Sequence, residues 1–163
     1  MPMSSWKKNI GHRFLRKKNK EMDRVTQVQN FETAETAVIL FDALLPDSFP
    51  VIKDLMKYMS EQQVRTSVVG YLDEKEIPQQ MLFWDKIEII TKKDLNWLAR
   101  PRGPVAESFL SKVPDLLIVF SFEPPFAIEY LTWLSKAKFK VGCYTEEEND
   151  FDLMINTGKV CEI

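Results

Sequence analysis

The chain has 163 residues, 45% of them hydrophobic, and its 22 basic and 24 acidic residues give a net charge of −2. This length favours one domain whose core needs no disulfide or metal. Cys143 and Cys161 form no CxxC pair and lie far in sequence from the single histidine, His12, which excludes a Cys/His zinc site. No apolar stretch reaches the ~18–20 residues of a membrane span, and the N-terminus lacks the apolar segment of a secretory signal. We therefore expect a cytoplasmic protein with free thiols.

The N-terminal segment is basic and the rest of the chain is acidic. Residues 1–24 hold eight basic and two acidic side chains, against 14 basic and 22 acidic ones in the remainder. The spacing of Trp6, Ile10 and Phe14 predicts a helix over 4–25 with one apolar face. We interpret 1–30 as a basic helix and connector, called the basic arm below, and 31–163 as a single α/β domain, called the body.

Short apolar runs dominate the remainder: AVILF (37–41), SVVGYL (67–72), IEII (87–90), DLLIVF (115–120), FKVGCY (139–144) and DLMI (152–155). A continuous apolar run indicates a strand buried on both faces, which requires helices on both sides of a parallel sheet.

Helical and irregular segments separate these runs. We predict a helix capped by Asp47 or Ser48, an irregular crossover over 73–84 packed by Phe83 and Trp84, and helices over 105–112 and 126–137. Right-handed crossovers then predict a Rossmann-like, doubly wound, mostly parallel sheet of five to six strands. The expected strand order is 3-2-1-4-5, with the sixth strand at the edge.

Three blocks resemble an uncharacterised Bacteroidetes family catalogued as a domain of unknown function: KEIPQQMLFWDKIEIITKKDLNWLARPRG (75–103), SKAKFKVGCY (135–144) and DFDLMINTG (150–158). The KDLNW block (93–97), followed by a proline, is the most specific mark. The resemblance implies a bacterial, cytoplasmic α/β domain and supplies neither an activity nor site residues. Members of that family continue past the DLMI-type strand into a final helix, so we expect this chain to be truncated or divergent there.

Common catalytic and nucleotide-binding signatures are missing. The chain has no GxGxxG, no Walker A loop and no GxSxG, and its histidine lies in the basic arm. No cofactor can therefore be assigned.

The first candidate site is the crevice beyond the carboxyl ends of strands one and four, where the strand order reverses. It would bring together Asp42, Asp73, Ser121 and Glu123. Carboxylates near a hydroxyl could hold Mg²⁺ or a sugar hydroxyl. The alternative, which we prefer, is that Asp42, Asp73 and Ser121 end strands and bond to nearby backbone amides.

The second candidate is the loop after strand three, with Lys92, Lys93, Asn96, Trp97, Arg100 and Arg102. Its cations could meet phosphate while Trp97 stacks on a base or sugar. In the preferred alternative, Trp97 and Leu95 anchor the loop in the core and the charges stay solvated.

The third candidate is the basic arm, with Lys7, Lys8, Arg13, Arg16, Lys17, Lys18 and Lys20. It could contact RNA phosphates or an anionic membrane surface, pack against the acidic body, or remain solvated. The acidic run EEEND (146–150) lacks an EF-hand pattern, so we read it as a solvated loop. We read Cys143 as a buried, inert thiol.

Two functions remain open. The leading hypothesis is a non-catalytic binding or interaction protein that uses the basic arm. The alternative is an enzyme or binding protein for a phosphorylated or nucleotide-like small molecule at the strand-end crevice.

Overall fold

The computed structural model of the protein describes residues 5–156 and has one six-stranded sheet. The strands are β1 Thr36–Asp42, β2 Arg65–Leu72, β3 Ile87–Thr91, β4 Leu116–Phe120, β5 Phe139–Cys143 and β6 Leu153–Ile155. Their order is β3-β2-β1-β4-β5-β6, and each neighbouring pair is parallel. The predicted fold class is confirmed. Cys161 and the expected divergence after the last strand lie outside the described residues.

The α-helices of the described segment are α1 Ser5–Glu21, α2 Ser48–Glu61, α3 Pro104–Ser111 and α4 Phe126–Leu134. The predicted end of α4 at 137 is wrong, because Ser135 is extended and its hydroxyl accepts the N–H of Ala137 at 3.2 Å. Asp47 precedes α2 with a left-handed backbone (φ 57°) and makes no capping bond through its side chain.

The crossover after β2 contains a short 3₁₀ helix, Gln79–Phe83. Trp84 packs inward as expected and stacks on Phe49 with 4.4 Å between ring centroids. The prediction for Phe83 is wrong: its side chain is 78% exposed, because the 3₁₀ helix turns it away from the sheet.

Two layers of helices cover the sheet, which explains why the strand sequences are apolar without alternation. On one face, Leu40, Val69 and Leu117 share a core with side chains of α3 and α4. On the other face, Ile39 and Val68 share a core with Ile52 of α2.

Asp115 ties together the amino ends of β1, β4 and β5. Its carboxylate accepts the backbone N–H groups of Glu35 and Thr36 at 3.0 Å and lies 2.7 Å from the ammonium group of Lys138. Burial acts to raise the pKa of Asp115, but these hydrogen bonds outweigh it and hold the pKa at about 2.

Candidate functional site

The crevice at the carboxyl edge places Asp42 and Ser121 on neighbouring strands. Phe41 of β1 is in register with Phe120 of β4, so the next residue of each strand lies at the same level. Asp42 is also paired with Tyr71 of β2, whose hydroxyl donates to Asp73 at 2.8 Å. The topology therefore gathers these polar groups at one edge of the sheet.

Negative charge dominates this edge. Burial raises the pKa of Asp42, and the negative charge of Asp73 raises it further. The N–H of Leu44, which donates to the Asp42 carboxylate at 2.9 Å, lowers this pKa and so opposes the shift. Burial and the bond to Asp73 raise the pKa of the Tyr71 phenol. The nearby cation, Lys92, lies 3.1 Å from a carboxylate oxygen of Asp73 and is already paired.

Ser121 is the unusual member of the crevice. It is 5% exposed, and its Oγ has no hydrogen-bond partner among residues 5–156. Its backbone N–H bonds to Cys143, whose thiol pKa is raised by burial. A buried hydroxyl without a partner still has donor and acceptor capacity that a ligand could satisfy. Glu123 lies two residues further on in the exposed loop.

The predicted loop cluster folds into a closed turn over 95–101. Leu95 and Pro101 form an antiparallel bridge, and the N–H of Asn96 donates to the carbonyl of Arg100 at 3.0 Å. The Asn96 side chain accepts the N–H groups of Leu98 and Arg100 at 2.9 and 3.1 Å. The side-chain oxygen of Asn96 therefore organises this turn.

The side chains of Trp97 and Arg100, both in this turn, have different environments. The expectation that Trp97 anchors the loop is wrong, because its side chain is 75% exposed. Leu95 packs against the core as expected. Arg100 supplies a second anchor, because its guanidinium lies 3.6 Å from the ring centroid of Phe14 on α1. Lys93 lies 3.7 Å from Glu76, and Arg102 is exposed. The structure thus joins this loop to α1 through Arg100 and to the crevice through Lys92, which pairs with Asp73.

The basic arm is docked on the body. Leu15 is 1% exposed, and Gly11 lies so close to Phe126 of α4 that a Cβ would stand 2.5 Å from its ring. His12 bonds to Glu129 of α4 at 2.9 Å. Trp6 and Ile10 do not join this contact, since they are 56% and 43% exposed.

The acidic loop between β5 and β6 forms ion pairs with one side of the arm. The expectation that this loop is merely solvated is therefore wrong. Lys8 lies 3.5 Å from Glu147, and Nε of Arg16 donates to Glu148 at 2.7 Å. Just beyond α1, Arg24 forms a two-pronged pair with Asp152 at 2.5 and 3.0 Å. The opposite charges of arm and body were visible in the sequence, but their partners were not.

The remaining arm cations form no ion pair with the described part of the body, which ends at residue 156. Lys17 and Lys18 share Glu21 of the same helix at 4.0 and 3.3 Å. Lys7 lies over the Trp6 ring at 5.9 Å. Arg13 and Lys20 make no ion pair with any residue of the 5–156 segment.

Sequence reasoning missed two grooves at the opposite, amino edge of the sheet. They have volumes of about 400 and 520 Å³ and share Arg65 and Thr66. Lys112 lines the first groove, while Lys57 and Lys86 line the second. No local pattern marked them, because their cations come from separate elements.

Comparison with known proteins gives a family but no activity. The model of one family of unknown function matches residues 7–161. No curated protein matches the sequence. Within residues 5–156, no group of three or more His, Cys, Asp or Glu side chains could hold a metal ion, and no helix is long and apolar enough to cross a membrane.

Proposed function

The chain belongs to that family, DUF6913, and we propose that it is a non-catalytic binding protein that contacts a polyanionic partner through the outward face of α1. The observation that carries this proposal is the docking of α1. Gly11 lies against Phe126 and Phe14 stacks on Tyr130 of α4, while Arg13, Lys17 and Lys20 remain exposed. At 100° per residue these three cations fall within one stripe of the helix, about 10 Å long.

The electrostatics of the docked arm support this use. The carboxylates of the acidic loop pair with Lys8 and Arg16 of α1, and the outward stripe begins next to Arg16, about 40° further round the helix. Charges are screened over about 8 Å at physiological salt, so a ligand at the stripe experiences its cations more than the acidic body. The negative net charge of the whole chain therefore does not prevent an anionic ligand from binding to this stripe.

A charge-neutralising variant tests the proposal. We expect Arg13→Gln/Lys17→Gln/Lys20→Gln to bind a fluorescein-labelled single-stranded 20-mer RNA at least tenfold more weakly than the wild type, in fluorescence anisotropy. The salt dependence of log K should become shallower by about 2, since each lost phosphate contact accounts for about 0.7 on a single strand.

The amino-edge grooves provide the matched control. Lys57→Gln/Lys86→Gln/Lys112→Gln removes the same charge and should leave the affinity unchanged. If this triple weakens binding and the α1 triple does not, the polyanion binds the grooves and the proposal is wrong. Thermal melts of both variants verify that the fold is intact.

The unpartnered hydroxyl of Ser121 favours a second candidate function, in which the crevice binds a nucleotide-like small molecule. Asp42 and Asp73 would accept hydrogen bonds from ribose hydroxyls, and phosphate would have to reach Lys93 or Arg102, away from these carboxylates. A thermal-shift screen of nucleosides, nucleotides and sugar phosphates tests this idea, because a ligand at 100 times its Kd stabilises by about 2.7 kcal/mol. Asp42→Asn and Ser121→Ala should abolish any shift, and no shift with any compound would contradict the candidate.

We also propose that the protein works in a bacterial cytoplasm. The resemblance of the 75–103 block to Bacteroidetes proteins supports this setting, and the free thiol of Cys143 agrees with it. Fractionation of a Bacteroidetes cell that expresses the protein, followed by immunoblotting, tests the location.

A further inference from the structure

We propose that the polyanion is a single strand of nucleic acid, and that Trp97 is a stacking platform for one of its bases. This inference rests on the proposed function of α1 and adds the chemical class of the partner. It is carried by the closed turn over 95–101, which presents an exposed tryptophan beside a basic helix.

The turn holds Trp97 in place before any ligand arrives. Asn96 closes it with its backbone N–H and with two bonds accepted by its side chain, and the N–H of Arg102 donates to the carbonyl of Asp94 at 2.8 Å. A large aromatic side chain that is 75% exposed on so constrained a turn costs little entropy to bind. Trp97 therefore resembles the rigid aromatic side chains that anchor interfaces.

The stack of Arg100 on Phe14 places this platform next to the arm. Phe14 is one helical turn from both Ile10 and Lys18, so the turn packs along the flank of α1. Trp97 and Arg100 are three residues apart, a Cα separation of at most about 10 Å. A flexible polyanion can therefore contact the cations of α1 and the indole ring of Trp97 together.

The state of α1 decides between nucleic acid and membrane. An interfacial helix inserts its apolar face into lipid, but Leu15 and Gly11 of α1 already face α4. Insertion would require breaking the His12–Glu129 and Arg16–Glu148 contacts. Trp6 and Ile10 stay exposed as well, but the outward face also carries the cations Arg13, Lys17 and Lys20, which suit phosphate.

Stacking distinguishes a single strand from a duplex. In a duplex the base faces are covered by neighbouring bases, whereas every unpaired base offers a face to an aromatic side chain. Arg102, exposed at the base of the turn, adds a cation for the backbone. The surface therefore fits an unpaired segment with little sequence preference.

The test compares Trp97→Ala with Phe83→Ala, which truncates another aromatic side chain of similar exposure elsewhere on the chain. We expect Trp97→Ala to weaken binding of the labelled single-stranded 20-mer by about 5- to 150-fold. Its salt slope and its affinity for a duplex of the same length should not change, because no phosphate contact is lost. Phe83→Ala should bind like the wild type, and Trp97→Phe should fall between wild type and Trp97→Ala.

Two outcomes overturn the inference without touching the proposed function, and a third overturns both. If the α1 triple weakens RNA binding and Trp97→Ala does not, α1 binds a polyanion but Trp97 does not stack on it. If the wild type sediments with vesicles of 70% phosphatidylcholine and 30% phosphatidylglycerol and shows no RNA binding, the partner is a membrane. If the α1 triple has no effect on either probe, the proposed function itself is wrong.

Discussion

Lys140 is a fully buried ammonium group in β5, with 0% exposure. Its Nζ donates to the carbonyl of Thr132 at 2.7 Å and to the carboxylate of Asp150, which also accepts the side-chain amide of Asn19 at 2.9 Å. These bonds link the end of α4 and the acidic loop to α1. A buried charge in such a network specifies one arrangement of the elements around it.

We predict that Lys140→Met lowers the free energy of unfolding by about 3–5 kcal/mol, because Asp150 is left without its cation. Lys140→Met/Asp150→Asn should recover part of this loss, since no uncompensated charge remains. Urea unfolding of the single and double variants measures the coupling. Lys136→Met, at an exposed site, should change stability by no more than about 0.5 kcal/mol.

The same residue predicts a dependence on pH. Burial is the main cause that lowers the pKa of Lys140 from 10.5 to about 8, against the opposing effect of Asp150. Between these two values the unfolded chain keeps a proton that the native protein has released, so raising the pH favours the native state. The stability of the wild type relative to Lys140→Met should therefore rise between about pH 8 and about pH 10.5. A constant difference would contradict this assignment.

At the scale of the elements, Gly11 sets how closely α1 approaches α4. Glycine ordinarily weakens a helix by about 1 kcal/mol relative to alanine, but here a Cβ would lie 2.5 Å from the ring of Phe126. Gly11→Val should therefore destabilise the docked arm by about 1–3 kcal/mol through overpacking. The matched control is Asn9→Val, at an exposed position of the same helix.

Hydrogen exchange followed by mass spectrometry measures this effect directly. Amides of α1 in Gly11→Val should exchange faster than in the wild type, while those of β1 and β4 should keep their protection. Equal exchange of α1 in both proteins would mean that the close approach to Phe126 does not determine docking.

At the scale of the whole molecule, the basic arm and the acidic body neutralise each other in part. Deleting residues 1–24 removes Arg16 and Arg24 and leaves Glu148 and Asp152 without their cations. It also uncovers Phe126 of α4. We predict a folded body with a lower melting temperature and increased binding of an apolar dye.

This deletion also tests the predicted boundary between 1–30 and 31–163. Calorimetry of the intact and shortened chains, with circular dichroism to confirm the fold, is the measurement. An unchanged melting temperature would show that the arm contributes nothing to the body, and loss of the fold would show that the two are one domain.

The strand arrangement follows from the sequence alone. The runs at 37–41, 67–72 and 115–120 could not be polar on either face, because helices cover both sides of the sheet they form. Short connections and right-handed crossovers then left few orders for parallel strands, and the predicted one is observed. The proximity of Asp42 and Ser121 followed from this order, since strand ends in register bring neighbouring residues to one edge.

The functional surface was decided by tertiary structure. A tryptophan in a loop such as Trp97 is compatible with burial or exposure, and Arg100 took the anchoring role because Phe14, 86 positions earlier in the chain, supplied an aromatic face. The charges of the arm and the EEEND run were evident, but which carboxylate meets Arg16 depends on where β5 and β6 place that loop. Periodicity reports burial along a single element, whereas ion pairs and stacks between distant residues exist only after the elements have packed.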